Sequence, residues 1–459
     1  MSAEIIAQSS QEANVRRYRQ APARPAATVG RRAGARPAGS AAGESPTQRA
    51  PLAAAIDDHA DVKWDALLVC VAGYILTSVG RIHQLFGALE AIHLAAITGL
   101  LAAVLWLMDT RRQRQWRTVR GATTRLAGLL LFWMIISVPS ALRVGNSFDV
   151  VFDNFIKTAL MSFVVAASVR TIRDVERLAL VYLVGAVVYA AVVLTRFDLG
   201  SGDAWRLGHL YYYDANDFAT YTVSAMPLGI YFLHAGRRMI LRLFAAAGLV
   251  VLTLGFVWSG SRGGFIALAA MAIFVVLRFS AIPLRWRLFA PALVAVVLLA
   301  TASDQYWEQM GTIASDADYN HTAESGRLQI WRRGIGYMMD NPVLGLGPGN
   351  FQTAEGTLSP LAERQQYGVG VRWNAPHNSF VQIGAELGFP GLALYIAVIA
   401  SAFYALRRAG DLSPALTASL LGFVVGSFFL SLAYSEMLYT LIALAVGLRK
   451  VSAPTAAPA

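Results

Sequence analysis

Apolar and polar residues in this chain segregate into long blocks. Apolar stretches fall at about 65–80, 88–108, 126–142, 150–168, 175–195, 217–234, 240–258, 263–280, 284–302, 378–406, 414–432 and 434–449, separated by polar or basic connections. Most are about 17–22 residues long, enough for a helix to cross a hydrocarbon layer of roughly 30 Å. Lipid offers no hydrogen-bond partners, so such blocks must satisfy their own backbones as helices. The pattern predicts an all-α, polytopic membrane protein with about twelve transmembrane helices. The block at 378–406 is too long for one plain span. Its first part, up to Gly388-Phe389-Pro390-Gly391, is expected to be a re-entrant or interfacial piece, because Pro and Gly interrupt helices.

The connections orient the blocks. With residues 1–62 inside, the inside loops carry Arg111, Arg112, Arg114, Arg117, Arg120 and Arg125, then Arg170, Arg173 and Arg177, then Arg237, Arg238 and Arg242. Arg278, Arg285, Arg287, Arg407, Arg408, Arg449 and Lys450 continue the series, whereas the short outside loops hold only Arg81, Arg143, Arg196 and Arg206. This follows the positive-inside rule, with both ends of the chain cytoplasmic. The domain reading is a disordered tail over 1–62, helices over 63–302, one large outer loop over 303–377, helices again over 378–450, and a short tail over 451–459. The first tail is rich in Ala, Arg, Pro, Ser and Gly, and its Arg31, Arg32 and Arg36 are read as solvated charge. The outer loop contains Trp307, Trp331, Tyr337, Phe351 and Trp373, which argues that it is ordered.

Composition sharpens this picture. Hydrophobic residues make up 56% of the 459 and charged residues 15%, where a soluble domain would carry nearer a quarter charged. The formal net charge is +11, but the basic residues sit where they set topology, and no zinc-finger or RNA-binding spacing accompanies them, so no nucleic-acid partner is expected. The single cysteine, Cys70, lies inside the first block and excludes an intramolecular disulfide or a cysteine metal cluster.

Candidate chemistry gathers at the outer ends of the blocks. Arg262 stands in Ser259-Gly260-Ser261-Arg262-Gly263-Gly264. Small neighbours leave its guanidinium uncovered, and that fork of donors suits phosphate; an interfacial anchor with a glycine turn explains the same residues. In the outer loop, Ser325 to about Met339 reads as an amphipathic helix with Leu328, Trp331, Ile335 and Met338 on one stripe, Arg327 and Arg332 beside it, and Arg333 pointing away. Asp340-Asn341-Pro342 ends it. Gly345-Leu346-Gly347-Pro348-Gly349-Asn350-Phe351 is either an anion-binding loop or a set of tight turns. His377 lies where the loop rejoins the membrane, with Asn378 or Ser379 as helix cap. Asp214, Asn216 and Asp217 open the sixth span, where capping or contact with a sugar is expected. Asp316-Ala317-Asp318 lacks further ligands, so no metal is assigned. Glu386 and Glu436 lie in apolar surroundings, a costly placement unless they face protein or a cavity.

Taken in order, Tyr213-Asp214-Ala215-Asn216-Asp217-Phe218-Ala219, Ser261-Arg262-Gly263-Gly264, Ser325-Gly326-Arg327 with Trp331, Asn341-Pro342 through Gly345, Gly347, Gly349, Asn350 and Phe351, and His377-Asn378 followed by Gly388 and Gly391 resemble the O-antigen ligase and O-antigen polymerase superfamily of bacterial envelope glycosyltransferases. The resemblance is close over roughly residues 200–400, and the topology extends it along the membrane part. It implies a GT-C-like, metal-independent, inverting transferase in the bacterial inner membrane, with its active site facing the periplasm and no cofactor. The implied partners are a glycan donor on undecaprenyl diphosphate, a lipid A–core or other glycan acceptor, and membrane lipids. Arg262 and Arg327 match the family's essential arginines and His377 its essential histidine, whose implied roles are to stabilise the leaving diphosphate and to accept a proton from the attacking hydroxyl. Asn216, Asp217, Arg332 and Asn378 are carried as substrate-binding residues.

The His377-Asn378 motif and the late large loop favour ligation of a finished polymer, with polymerisation of O-antigen or exopolysaccharide repeat units as the alternative that fits the same chemistry. A transporter is the competing class, although no repeat between halves and no paired broken helices appear. A non-catalytic scaffold within an assembly complex remains a further alternative.

Overall fold

A computed structural model describes residues 63–197, 205–208, 210, 212–236, 238–279, 282–315, 319–363, 374–407 and 409–452. The tail with Arg31, Arg32 and Arg36, the residues Arg237, Asp316, Asp318, Trp373 and Arg408, and positions 453–459 lie outside the described residues.

The described residues are helical and contain no strand. The longer helices are α1 Ala66–Val79, α2 Leu94–Met108, α3 Ala122–Ser140, α4 Val144–Ser168, α5 Ile172–Arg196, α6 Ala215–Ala235, α7 Met239–Ser259, α8 Arg262–Arg278, α9 Leu284–Thr301, α10 Arg327–Asp340, α11 Ser379–Leu406, α12 Ser413–Ser427 and α13 Glu436–Ser452. Each of the twelve apolar blocks carries one of them, and α10 is the helix of the large loop. Six, namely α3, α4, α5, α7, α9 and α11, are long and apolar enough to cross a membrane; α1, α2 and α12 are shorter apolar helices. The chain is thus a polytopic, all-α membrane protein.

Helix α6 lies at the centre, packed against α5, α7, α8 and α12. Between lipid-embedded helices there is little hydrophobic drive, so close approach depends on small residues. Gly229 of α6 abuts Leu249 of α7, and in α12 Gly422 meets Val223 and Gly426 meets Thr220. A Cβ at Gly426 would stand 2.6 Å from the Thr220 hydroxyl.

The two ends of the bundle differ in chemistry. At one end, Asp65 caps α1 and accepts hydrogen bonds from Arg111, Arg114 and Arg170. Arg114 is 1% exposed and also donates to Asp109 and to the Ser168 carbonyl, while Arg170 and Arg177 pair with the buried Asp174. Burial opposes the charge of Asp65, yet its hydrogen bonds from Arg114 and Arg111 outweigh that and hold the carboxyl well below its ordinary range. Residues placed in loops by the sequence pattern thus also tie α1, α4 and α5 together. The opposite end joins Arg81 to Glu436 at 3.6 Å and the Tyr213 hydroxyl to the Val79 carbonyl at 2.7 Å.

The expected interruption of α11 is present. Gly388 has φ +67, and a Cβ there would lie 2.5 Å from the Pro342 and Val343 carbonyl oxygens. The break leaves carbonyls at the end of the first piece that need donors. Leu346 N donates to Ala385 O and Gly347 N to Glu386 O, both at 2.9 Å, and Trp133 Nε1 donates to Leu387 O at 3.1 Å. The glycine-rich loop is therefore a cap for a broken helix, with backbone donors turned to protein. Glu386, 1% exposed, accepts from Tyr434 Oη and Phe351 N and closes the same junction.

The loop helix α10 differs from the expected orientation. Its buried face is Ile330, Gly334 and Tyr337, flanked by Trp331 and by Met338, whose sulfur packs against Gly384; Leu328 and Ile335 of the expected stripe are exposed. Gly334 allows this because it sets the helix directly on Val381 and Phe351. Arg333, expected to point away, turns inward and pairs with the fully buried Glu355, donating from Nε at 2.8 Å and Nη2 at 2.6 Å, with Tyr337 Oη donating at 3.0 Å.

Candidate functional site

Arg262 is positioned by the turn between α7 and α8. Gly260 takes φ +57 with Trp205 packed against its Cα, and Ser261 caps α8 by accepting from Gly264 N at 3.1 Å. Gly263 and Gly264 let the first turn of α8 press against Phe429 and Ala219, where a Cβ would stand at 2.6 and 2.8 Å. The small residues thus serve packing, and packing fixes the arginine: its Nη1 donates to Thr312 Oγ1 at 2.7 Å.

Arg327 is the first residue of α10, after the cap Gly326. Together with Arg262, Thr312, Asn320, Trp331 and Phe429 it lines a cavity of about 200 Å³. Two guanidinium groups facing one small space favour an anion with several oxygens.

His377 adjoins this cavity. Trp331, one turn beyond Arg327, donates from Nε1 to Pro376 O at 2.8 Å. The next backbone group, His377 N, donates to Ser431 Oγ at 3.0 Å. His377 has φ +44, a left-handed conformation uncommon for a residue with a side chain. Burial, and then the nearby charge of Arg327, push its imidazole below the ordinary histidine value, with Asp214 acting weakly in the other direction. The ring is thereby held neutral near neutral pH, the form that accepts a proton.

The remaining predicted residues divide. Asp214, whose charge reaches His377, caps α6 by accepting from Asn216 N and Asp217 N at 2.7 Å each. Asn216 and Asp217 are half-buried on that first turn, at the same end of the bundle. Asn378 is buried, and its Oδ1 accepts from Phe380 N and Val381 N as the cap of α11. Arg332 is exposed and does not line the arginine cavity. Sequence reasoning missed Thr312 and Ser431, single hydroxyls whose importance depends on three-dimensional placement. Trp331 stood in a motif but gave no sign of its bond to Pro376. Among the described residues, no cluster of three His, Cys, Asp or Glu side chains is placed to hold a metal ion.

A search of curated proteins returns no match. Residues 247–396, which hold Arg262, Arg327, His377 and the broken helix up to its second piece, match the family model described as O-antigen ligase, and over this stretch the chain is similar to that family.

Proposed function

We propose that the protein transfers a glycan from undecaprenyl diphosphate to an acceptor sugar hydroxyl at the periplasmic face of the bacterial inner membrane, with all twelve apolar helices spanning the bilayer. The observation that carries this reading is the pair Arg262 and Arg327 on one cavity with His377 beside it. In the reaction, the acceptor oxygen attacks the anomeric carbon and the bond from that carbon to the phosphate oxygen breaks, inverting the configuration. The bonding electrons leave on the diphosphate, whose growing charge the two arginines stabilise. The hydroxyl proton passes to the neutral imidazole of His377. In this reading the arginines supply the charge stabilisation that a divalent cation supplies in other transferases.

An apolar groove also fits a lipid-linked donor. It has a volume of about 300 Å³ and is lined by Met226, Phe265, Leu268, Pro291, Val294 and Trp307. Its wall is shared with the arginine cavity through α8, which presents Gly263 and Ile266 to one and Phe265 and Leu268 to the other. A polar head among arginines and an isoprenoid tail along apolar side chains is the division such a donor requires.

The test is deletion of the gene in its host and complementation with wild type, Arg262→Ala and His377→Ala, each confirmed in the membrane. Ligation predicts loss of the lipopolysaccharide ladder while long chains accumulate on undecaprenyl diphosphate. Polymerisation predicts single repeats on the carrier or acceptor. Each alanine variant is expected to lower transfer by at least about a hundredfold. Unchanged envelope and secreted glycans in the deletion strain would remove the transferase reading and turn attention to transport.

A further inference from the structure

The peptide unit between Pro376 and His377 is held from both sides. Its carbonyl accepts from Trp331 Nε1 at 2.8 Å and its N–H donates to Ser431 Oγ at 3.0 Å. The rotation that gives His377 its φ of +44 takes place about the bond joining that N–H to Cα. A residue with a side chain keeps such a φ only when surrounding structure imposes it. Beyond His377 the chain is fixed again. Asn378 caps α11, and Ser379 Oγ donates to Leu430 O at 2.8 Å while accepting from Leu432 N at 2.9 Å. The segment between α12 and α13 therefore grips both flanks of His377. Ser431 lies outside the residues that match the family model.

We infer that Ser431 and Trp331 are positioning residues, which fix the Pro376–His377 peptide plane so that the left-handed backbone aims the imidazole at the reacting hydroxyl. This rests on the proposed glycosyl transfer with His377 as proton acceptor. Neither residue needs to touch the reacting atoms through the group concerned. Ser431 acts through a backbone N–H and Trp331 through a backbone carbonyl, and the side chain of His377 follows. Proton transfer depends on a distance window of a few tenths of an ångström, and misplacement of about 1 Å costs on the order of a hundredfold in rate.

The test compares Ser431→Ala, Ser431→Thr, Trp331→Phe and His377→Ala in the full chain, reconstituted in proteoliposomes and supplied with the lipid-linked glycan extracted from the deletion strain. Ser431→Ala is expected to lower kcat by roughly ten- to a hundredfold, with the donor KM within about twofold and an unchanged thermal midpoint, and Trp331→Phe, whose ring also lines the arginine cavity, to lower kcat to a similar degree. Ser431→Thr, which keeps the hydroxyl, is expected to recover most of the rate. The acid limb of the pH profile should also move in Ser431→Ala, because the ring leaves the positions in which Arg327 and Asp214 act on it. Wild-type kcat in both Ser431→Ala and Trp331→Phe, with His377→Ala inactive, would overturn the positioning role while leaving the transferase reading intact. Wild-type activity in His377→Ala would overturn both the positioning role and His377 as proton acceptor.

Discussion

Arg262 illustrates how a candidate site residue is placed by its neighbours. Gly260, Gly263 and Gly264 are required by the turn and by the contacts of α8 with Phe429 and Ala219, and the guanidinium is delivered to the cavity as a result. His377 allows a sharper statement. Its ring is shifted down by burial and by Arg327, so activity that needs the neutral imidazole is present above the shifted value and is lost only as pH falls through it. The acid limb of kcat/KM should therefore have its midpoint below the ordinary value of about 6.5. Arg327→Gln, assayed for residual transfer, should move that midpoint upward by removing the charge that disfavours protonation. Arg262, Arg327 and His377 could be singled out from the sequence because each sits in a motif, and the fold brings the two arginines to one cavity with His377 beside it. Ser431 was not, since a lone serine between two apolar blocks gives no signal until the fold brings it against the His377 amide.

At the level of elements, α11 and α10 show what periodicity can and cannot reveal. The break at Gly388 was readable, because a 29-residue apolar block containing Gly-Phe-Pro-Gly is too long and too interrupted for one plain span. Gly388→Ala places a Cβ against two carbonyl oxygens at a positive φ, and should destabilise the protein by about 1–3 kcal/mol or more, measured as a lower thermal midpoint in detergent. The face of α10 was misread because its inner surface uses Gly334, Tyr337 and Arg333, which a count of apolar residues leaves out. Arg333→Ala leaves Glu355 buried without its cation and should cost about 3–5 kcal/mol. The expected signs are early proteolysis of the 319–363 region and loss of transfer with it.

At the scale of the whole molecule, helices running alternately between two ends carry one kind of chemistry to each. Asp65, Arg114, Arg170 and Asp174 form the network at one end, whereas Arg262, Arg327 and His377 gather at the other. The proposed orientation predicts the outcome of labelling in intact cells. After Cys70→Ser removes the single cysteine, Gln352→Cys should react with a membrane-impermeant maleimide, and Thr118→Cys should react only after the membrane is opened. The reverse pattern would invert the topology and place the site in the cytoplasm. Block lengths made the polytopic helical architecture legible, because the bilayer constrains them. The assembly of the site from separate segments was hidden, because hydropathy carries no information on which connections meet.

The grip of residues 430–432 on the backbone around His377 also bears on biogenesis. Ser431 follows His377 by 54 residues, so it leaves the ribosome only after α11 and α12 have been synthesised. Until the segment after α12 is made, the histidine peptide lacks its second anchor and the arginine cavity lacks Phe429, which forms part of its wall. Under the proposed function, a stalled or truncated chain that ends before this segment would lack both the complete cavity and the held histidine. If the proposed transfer is this protein's activity, the distance along the polypeptide reserves it for a chain whose insertion is nearly complete.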